Sequence, residues 1–473
     1  MTRRSYTDQL AEFVLSTRYE YLPHETIASS KRIILDTTGC ALAGLATESG
    51  RYLAQLKTTQ GGAPESTLFA SGTRLPCAAT SYVHSQAANA LDADECLLNR
   101  THFACCVVPP VLAFCEKLGS SGREAIAAVA LGFDIAARVS LAMPFYEVAD
   151  TNEVRATQIQ GYSASVFGVA AALGRLHGLS PDQMRHAFGI AYASVPAQRP
   201  HWLAHTAMTK YAMFAAIAEA GANAAVLAGM GFTADPATLD PHREFWRGFG
   251  ADSCDYESMT RDLGQRWLID ETSFKLYPVA RPVNIVVDLF TQIFRQQGLA
   301  MADIEEVVVR APPSRLTREF AEKSQPATTA EAAFSAAHAI AMVAAGIPAG
   351  PQWALPEHLH NPSFRSFMQR MHAEARPEWQ QTVVDQVQSG GTYLRVPTEV
   401  VVKAGGRTFT AYGEAPRGDP GNPLTTASDD ELRAKFKEFA AGRIDAKAIE
   451  RAICEIGCLE QAPDVRVLMA ALA

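Results

Sequence analysis

Along the first ~270 residues the apolar positions recur at helical spacing, with few runs of strict alternation. Ile27 to Leu45 is rich in helix formers and small residues, and Glu124 to Leu141 repeats the pattern with Ile126, Val129, Ala130, Ile135 and Val139. Ser165 to Leu176 and Thr209 to Leu227 are dense in alanine and carry few polar residues. Helices that are apolar all round belong in an interior, and small side chains let them approach closely, so a compact helical bundle is expected. The pattern then changes. Ile304 to Arg310 is β-branched and stops before Pro312-Pro313, and Glu399 to Ala404 and Arg407 to Tyr412 flank Gly405-Gly406, a hairpin signal. Between them Ala330 to Ala345 and Pro362 to Glu374 read as helices, so this stretch of about 140 residues is α+β. Arg417 to Pro423 is a loop by composition. Ser428 followed by Glu431 is a capping box that opens a helix running to about Ala440, and two short helices finish the chain. Amphipathic helices this short need a surface to pack on, which predicts their return to the first bundle.

Composition narrows the function classes. The 473 residues are 48% hydrophobic and 19% charged, enough for a large packed core. The formal net charge is −8 and no basic stripe occurs, so no nucleic-acid partner is expected. Met1 to Leu22 lacks an apolar signal core, and the apolar runs read as broken short of the ~20 residues of a membrane span. Nine cysteines without a CxxC pair fit a reduced cytoplasm and no zinc ribbon. There is no P-loop and no GxGxxG, hence no sequence support for a nucleotide cofactor. Gly161 to Ser165 lacks the final glycine of a nucleophile elbow, and Glu357-His358-Leu359-His360 reads as a solvated turn.

Candidate chemistry concentrates in a few places. Asp92, Asp94 and Glu95 crowd into an otherwise apolar stretch, and His102 follows just before the apolar run Phe103 to Phe114. A carboxylate that holds such a histidine sets its tautomer and raises its basicity; a solvated loop between two core helices is the bland alternative. Lys210, Lys275 and Arg281 are cations among apolar neighbours, placed either to bind an anion or to snorkel from helix ends. Ser163, His201, His205 and His338 are isolated polar groups that read as satisfied structural residues.

Taken together, several segments resemble the MmgE/PrpD family. They are Leu35-Asp36-Thr37-Thr38-Gly39, Ala90-Leu91-Asp92-Ala93-Asp94, Thr101-His102 before Val107-Val108-Pro109, Thr209-Lys210, Gly231 to Ala234, Lys275-Leu276-Tyr277-Pro278 and Glu331 to Ser335. The resemblance spans nearly the whole chain. It implies a mainly α fold: a large all-helical bundle domain, 1–270 completed by 425–473, plus a smaller α+β lid domain, 271–424. It further implies a homodimer, an active site between the domains, no metal or organic cofactor, and a small di- or tricarboxylate substrate attacked beside a carboxylate. By position, His102 is the expected general base, oriented by Asp92. Lys210, Lys275 and Arg281 would stabilise the anion, and Tyr162, Ser163 and Cys96 would line the substrate pocket. His338 is the candidate second proton carrier. The departures are Glu95 for a second Asp, Cys96 for Thr, Ser163 and Asn284 for His, and His338 for Tyr. They point to a redrawn acid–base set or to a different substrate. The expectation is a cofactor-independent lyase, a hydro-lyase first, with a decarboxylase as a third outcome. The alternatives are an epimerase or isomerase of a dicarboxylate such as iminodisuccinate, and a non-catalytic dicarboxylate-binding dimer.

Overall fold

The computed structural model describes residues 5–157, 159, 161–195, 207–313 and 325–473; His201 and His205 lie outside them. Among the described residues, nine helices of eleven or more residues build the first domain up to residue 270: α1 (Tyr6–Ser16), α2 (His24–Gly44), α3 (Glu48–Gln60), α4 (Cys77–Asn89), α5 (Ala104–Leu118), α6 (Gly122–Leu141), α7 (Ser165–Leu176), α8 (Pro181–Ser194) and α9 (Thr209–Gly229). Local chemistry sets their ends. Ser121 with Glu124 and Ser180 with Gln183 form reciprocal capping boxes before α6 and α8, the latter with Pro181 at its first position. Helices α6 and α7 cross where two glycines meet. A Cβ on Gly168 would stand 2.2 Å from the carbonyl oxygen of Gly132, so only glycine allows this approach.

Helix α9 corrects one expectation. Its 21 residues are long and apolar enough to cross a membrane by length and composition, although the sequence read as broken short of that. It packs against α4, α7 and α8, with half of its most apolar window buried. It is therefore interior on one side only.

The bundle is not helix throughout. Two-residue strands pair at Ser66–Thr67 with Arg74–Leu75 and at β1 (Cys96–Leu97) with β2 (Thr272–Ser273), and Tyr146–Val148 pairs with Val154–Ala156. The β1–β2 ladder ties the loop after α4 to the chain just before Lys275.

The second domain has its own apolar core, from Val279 to Ala411. Strands β3 (Ile304–Ala311), β4 (Met371–Ala375), β5 (Thr398–Ala404) and β6 (Arg407–Gly413) form a sheet in the order β6-β5-β3-β4. β3 runs parallel to β4 and antiparallel to β5. The β5–β6 hairpin turns at Gly405 and Gly406, with φ of 56° and 69°, the left-handed pair a tight two-residue turn needs. Helix α10 (Arg281–Gln296) packs on β5 and β6. Two readings change here. Pro362 to Glu374 is helical only over Pro362–Met368; Met371–Ala375 is strand, because the edge of β3 supplies it with a backbone partner. Ala330 to Ala345 splits into Thr329–Ala332 and α11 (Ala336–Ala344), where the Ser335 hydroxyl accepts from the His338 N–H and starts a new helix.

The C-terminal helices α12 (Asp429–Ala440) and α13 (Ala446–Gly457) share the core of the first domain. The Ser428–Glu431 capping box is present. A small cluster of Cys40, Ala43, Leu91, Ala93 and Phe439 joins α2, the loop after α4 and α12.

Gly168→Ala drives a methyl group into backbone, a contact no rotamer change relieves. The expected cost is about 1–3 kcal/mol, the usual penalty of overpacking. Urea unfolding of the variant beside wild type checks it; an unchanged midpoint would show that the crossing is loose.

Candidate active site

The site grows from one loop. Helix α4 ends at Asn89, and the chain turns through Asp92, whose φ of 51° lies in the left-handed region. A non-glycine residue there is strained by about 1–2 kcal/mol, and the turn buries its carboxylate. Leu98 and Asn99, with φ of 51° and 52°, repeat the strain later in the same loop. The loop is pinned from several sides. Lys435 of α12 donates to Asp36 Oδ1 at 2.5 Å and to the Ala93 carbonyl at 2.6 Å. Arg100 donates to the Ser140 carbonyl at 2.5 Å and to that of Met143, capping the C-terminal end of α6.

Two lysines meet on Asp92. Lys210, in the first turn of α9, donates to Oδ2 at 2.5 Å, and Lys275, just after β2, donates to Oδ1 at 2.5 Å. All three side chains are buried. Burial opposes the charge on Asp92, but the two ammonium groups outweigh it and hold the carboxyl well below the usual range. Burial likewise opposes the charge on Lys275, yet Asp92 and Asp94 raise its pKa, so it is a fixed cation. Asn89 joins the network: its Nδ2 donates to Asp94 Oδ1 at 2.7 Å and its Oδ1 lies 3.4 Å from Lys210 Nζ.

His102 is held by the loop itself. Its Nδ1 lies 2.5 Å from the Glu95 carbonyl oxygen and 3.3 Å from Asp94 Oδ2. A carbonyl only accepts, so Nδ1 carries the proton and the neutral ring keeps a free lone pair on Nε2. That nitrogen lies 3.6 Å from Asp92 Oδ1. The orienting partners are thus the Glu95 carbonyl and Asp94, where the sequence pointed to Asp92, which instead anchors the lysines. Tyr162 stacks on the imidazole with centroids 5.9 Å apart, and Phe214 meets it edge-on.

Glu95 binds the segment a second time. Its Oε1 accepts from the N–H groups of Phe103 and Ala104, both at 2.6 Å, and so caps the start of α5 immediately after His102. Its Oε2 is buried with no partner among the described residues. Burial first, and then the charge of Asp94, push its carboxyl up to about 8.

The remaining candidates sit differently. Arg281 makes a paired contact with Asp419 and donates to the Leu394 carbonyl at 2.9 Å, so it arrives with its own counter-ion. Asp419 is delivered by Gly418, whose backbone pairs with Phe274 so closely that a Cβ would stand 1.7 Å from the Phe274 oxygen. Asn284 staples the Lys275-to-Pro278 turn onto α10, accepting from Tyr277 N and donating to the Val279 carbonyl. Cys96 is buried in β1, and burial pushes its thiol up to about 12, which keeps it protonated. Ser163 is buried in the short turn before α7. His338 lies on the lid side, lining a small cavity with Leu91, Pro278 and Trp353. Its Nε2 sits 2.7 Å from the Trp353 carbonyl, so Nδ1 is the unprotonated nitrogen, and burial lowers its pKa. Its Nδ1 has no hydrogen-bond partner among the described residues. His358 is also engaged, with Nδ1 2.6 Å from the Gln352 carbonyl, in the short helix Pro356–Leu359 that replaces the expected solvated turn.

Sequence reading missed Asn89, Tyr211 and Lys435 as parts of this assembly. Tyr211 is buried beside Lys210, with its hydroxyl unpartnered among the described residues and its pKa raised by burial, Asp92 and Asp94. None of the three stands in a spacing that signals its partner. Asp92, Asp94 and His102 also bring ligand-type atoms within 4.8 Å of one another. Both Asp92 oxygens face ammonium groups and His102 Nδ1 faces a carbonyl, whereas Asp94 Oδ2 has no hydrogen-bond partner among the described residues.

A helical bundle whose buried carboxylate, lysines and histidine meet under an α+β lid defines the class. The chain belongs to the MmgE/PrpD family: the model of its N-terminal domain matches residues 8–256 and that of its C-terminal domain residues 277–461. Similar relatives are the cis-aconitate decarboxylases of Homo sapiens and Mus musculus. They are 25% and 26% identical to this chain over 99% of its length, and over 94% and 93% of their own.

Glu95 gives a pH test. Its folded pKa is raised above the unfolded value, so between about 4.5 and 8 the unfolded chain holds fewer protons and stability falls as pH rises. Glu95→Gln removes that slope. Its melting temperature relative to wild type should climb between pH 5 and pH 8, by a few °C; a constant offset would mean that Glu95 is ionised in the folded protein.

Proposed function

We propose that the protein is a cofactor-independent lyase that acts on a small di- or tricarboxylate. The observation that carries this reading is His102, whose Nδ1 proton is committed to a backbone carbonyl and whose Nε2 opens onto the Asp92–Lys210–Lys275 cluster. Family membership and the full-length likeness to decarboxylases of a tricarboxylate support it.

A proton α to a carboxylate is weakly acidic, and its removal builds a second negative charge on that carboxylate. Nε2 of His102 takes the proton, and the electron pair moves into the carboxylate. Lys210 and Lys275 meet the new charge from fixed positions in a water-poor cleft, where preorganised donors act most strongly. The imidazolium then passes its proton to a β-hydroxyl, the electron pair returns to form the carbon–carbon double bond, and the C–O bond breaks to release water and leave an alkene. In the decarboxylating variant the electron pair of the broken C–C bond stays on carbon as CO₂ departs, and that carbon takes a proton from a His102 that enters the step as the imidazolium. In both cases the substrate must share lysines that already have a carboxylate partner. Binding of a polyanion is thereby coupled to rearrangement at Asp92.

His102→Ala should lower turnover by ~10²–10⁴-fold, and Lys275→Met by ~10²–10³-fold, with the far-UV circular dichroism of wild type. Wild-type rates in either variant would remove that residue from the chemistry. The reaction itself is read by proton NMR in D₂O with citrate, 2-methylcitrate, cis-aconitate, malate and tartrate. A new olefinic signal marks loss of water and a shortened skeleton marks loss of CO₂, and either upholds a lyase. Deuterium at the α carbon with the skeleton and saturation kept would replace the lyase by an epimerase, and no exchange with any of them by a binding protein.

A further inference from the structure

We propose that Thr392 is a positioning residue for the catalytic loop: its hydroxyl, reaching from the lid, holds the Leu98-Asn99 turn in the conformation that presents His102. This rests on the reading of His102 as the base.

The turn is the anomaly that calls for an explanation. Leu98 and Asn99 are consecutive non-glycine residues in the left-handed region. The Arg100 N–H closes the turn onto the Leu97 carbonyl at 3.0 Å, and asparagine tolerates the left-handed conformation; leucine is strained in it, so contacts from outside add to the hold on the turn. Among the described residues, each carbonyl of the turn has such a contact. Thr392 Oγ1 donates to the Leu98 oxygen at 2.7 Å, and the Tyr146 hydroxyl donates to the Asn99 oxygen at 2.6 Å. Tyr146 belongs to the helical domain, Thr392 to the lid. The turn leads directly into the Leu97 N–H to Thr101 carbonyl bond of 2.9 Å, and His102 is the next residue. A change in the turn therefore moves the imidazole off the Glu95 carbonyl.

The lid segment that brings Thr392 is itself firmly held. It leaves the helix Gln380–Gly390 through Gly391, whose φ is 68°. Gln386 Oε1 accepts from Leu394 N and Arg395 N at 3.1 and 3.0 Å, and Arg281, paired with Asp419, donates to the Leu394 carbonyl. Tyr393 packs against Tyr146 with ring centroids 4.8 Å apart. Arg281 thus serves the strap that carries Thr392. A lid that swings away takes the Leu98 acceptor's partner with it, and the strained turn is free to relax. The base is then assembled only under a closed lid, which keeps it from acting in open water.

The test is hydrogen exchange of full-length protein, followed by mass spectrometry on peptides covering residues 96–104. Thr392→Val, which keeps the shape and removes the hydroxyl, should speed exchange there at least fivefold, and Thr392→Ser should stay within twofold of wild type. In a Leu98→Gly background, where the turn costs little, Thr392→Val should add less than twofold. Exchange unchanged in Thr392→Val, or the same factor in both backgrounds, overturns the proposal. In turnover, Thr392→Val should lower kcat about tenfold with KM within twofold, and Thr392→Ser should restore it. If exchange responds and kcat does not, the strap stands and His102 is not the base.

Discussion

The structure turns on the buried carboxylate of Asp92. A charge taken out of water is costly unless it is paired, and breaking such a pair from one side typically costs about 3–5 kcal/mol. Asp92 meets this constraint with two ammonium groups, Lys210 from α9 and Lys275 from the strand-to-lid crossing. The requirement fixes where three distant parts of the chain must lie. It also accounts for the left-handed turn at Asp92, which aims the carboxylate inward. A second buried pair, Lys435 with Asp36, repeats the device one residue on, with the same ammonium holding the Ala93 carbonyl. The C-terminal helices therefore return to the bundle for a reason beyond apolar burial: they close the loop that carries the site.

This arrangement shapes the chemistry. The cations around the site arrive with counter-ions, Lys210 and Lys275 on Asp92 and Arg281 on Asp419. The site is therefore a charge-paired network, where the family resemblance implied cations grouped to stabilise an anion. The acid–base group is set by the main chain. A carbonyl only accepts, so the Glu95 oxygen holds the proton of His102 on Nδ1. The side chain of Glu95, meanwhile, fastens the first turn of α5. One residue thus governs both the tautomer and the placement of the imidazole.

How far each feature was legible depended on the range of the force behind it. Helix Ser165–Leu176, the Gly405-Gly406 hairpin and the Ser428–Glu431 cap rest on contacts within a few residues, and their signals stand in the local sequence. Strand Met371–Ala375 read as helix, because its partner β3 lies some sixty residues earlier and nothing nearby announces it. Asp92, His102, Lys210 and Lys275 were found as chemical groups in an apolar setting, but not their pairing. Asn89 and Lys435 were invisible for the same reason: a lone polar residue on a helix does not declare which distant carboxylate or carbonyl it will meet.

By itself, then, the sequence determined the helical domain, the α+β domain and the set of ionisable groups, since periodicity, caps and turns act locally and residue type is chemistry. Only the tertiary structure decided which of those groups neutralise one another, which nitrogen of His102 faces the Glu95 carbonyl, that His338 Nε2 faces the Trp353 carbonyl, and that Arg281 donates to the Leu394 carbonyl. Those outcomes depend on burial and on distances of a few ångströms between residues that are 118 and 183 positions apart. In a low-dielectric interior such distances decide which charges persist, and no spacing along the chain encodes them.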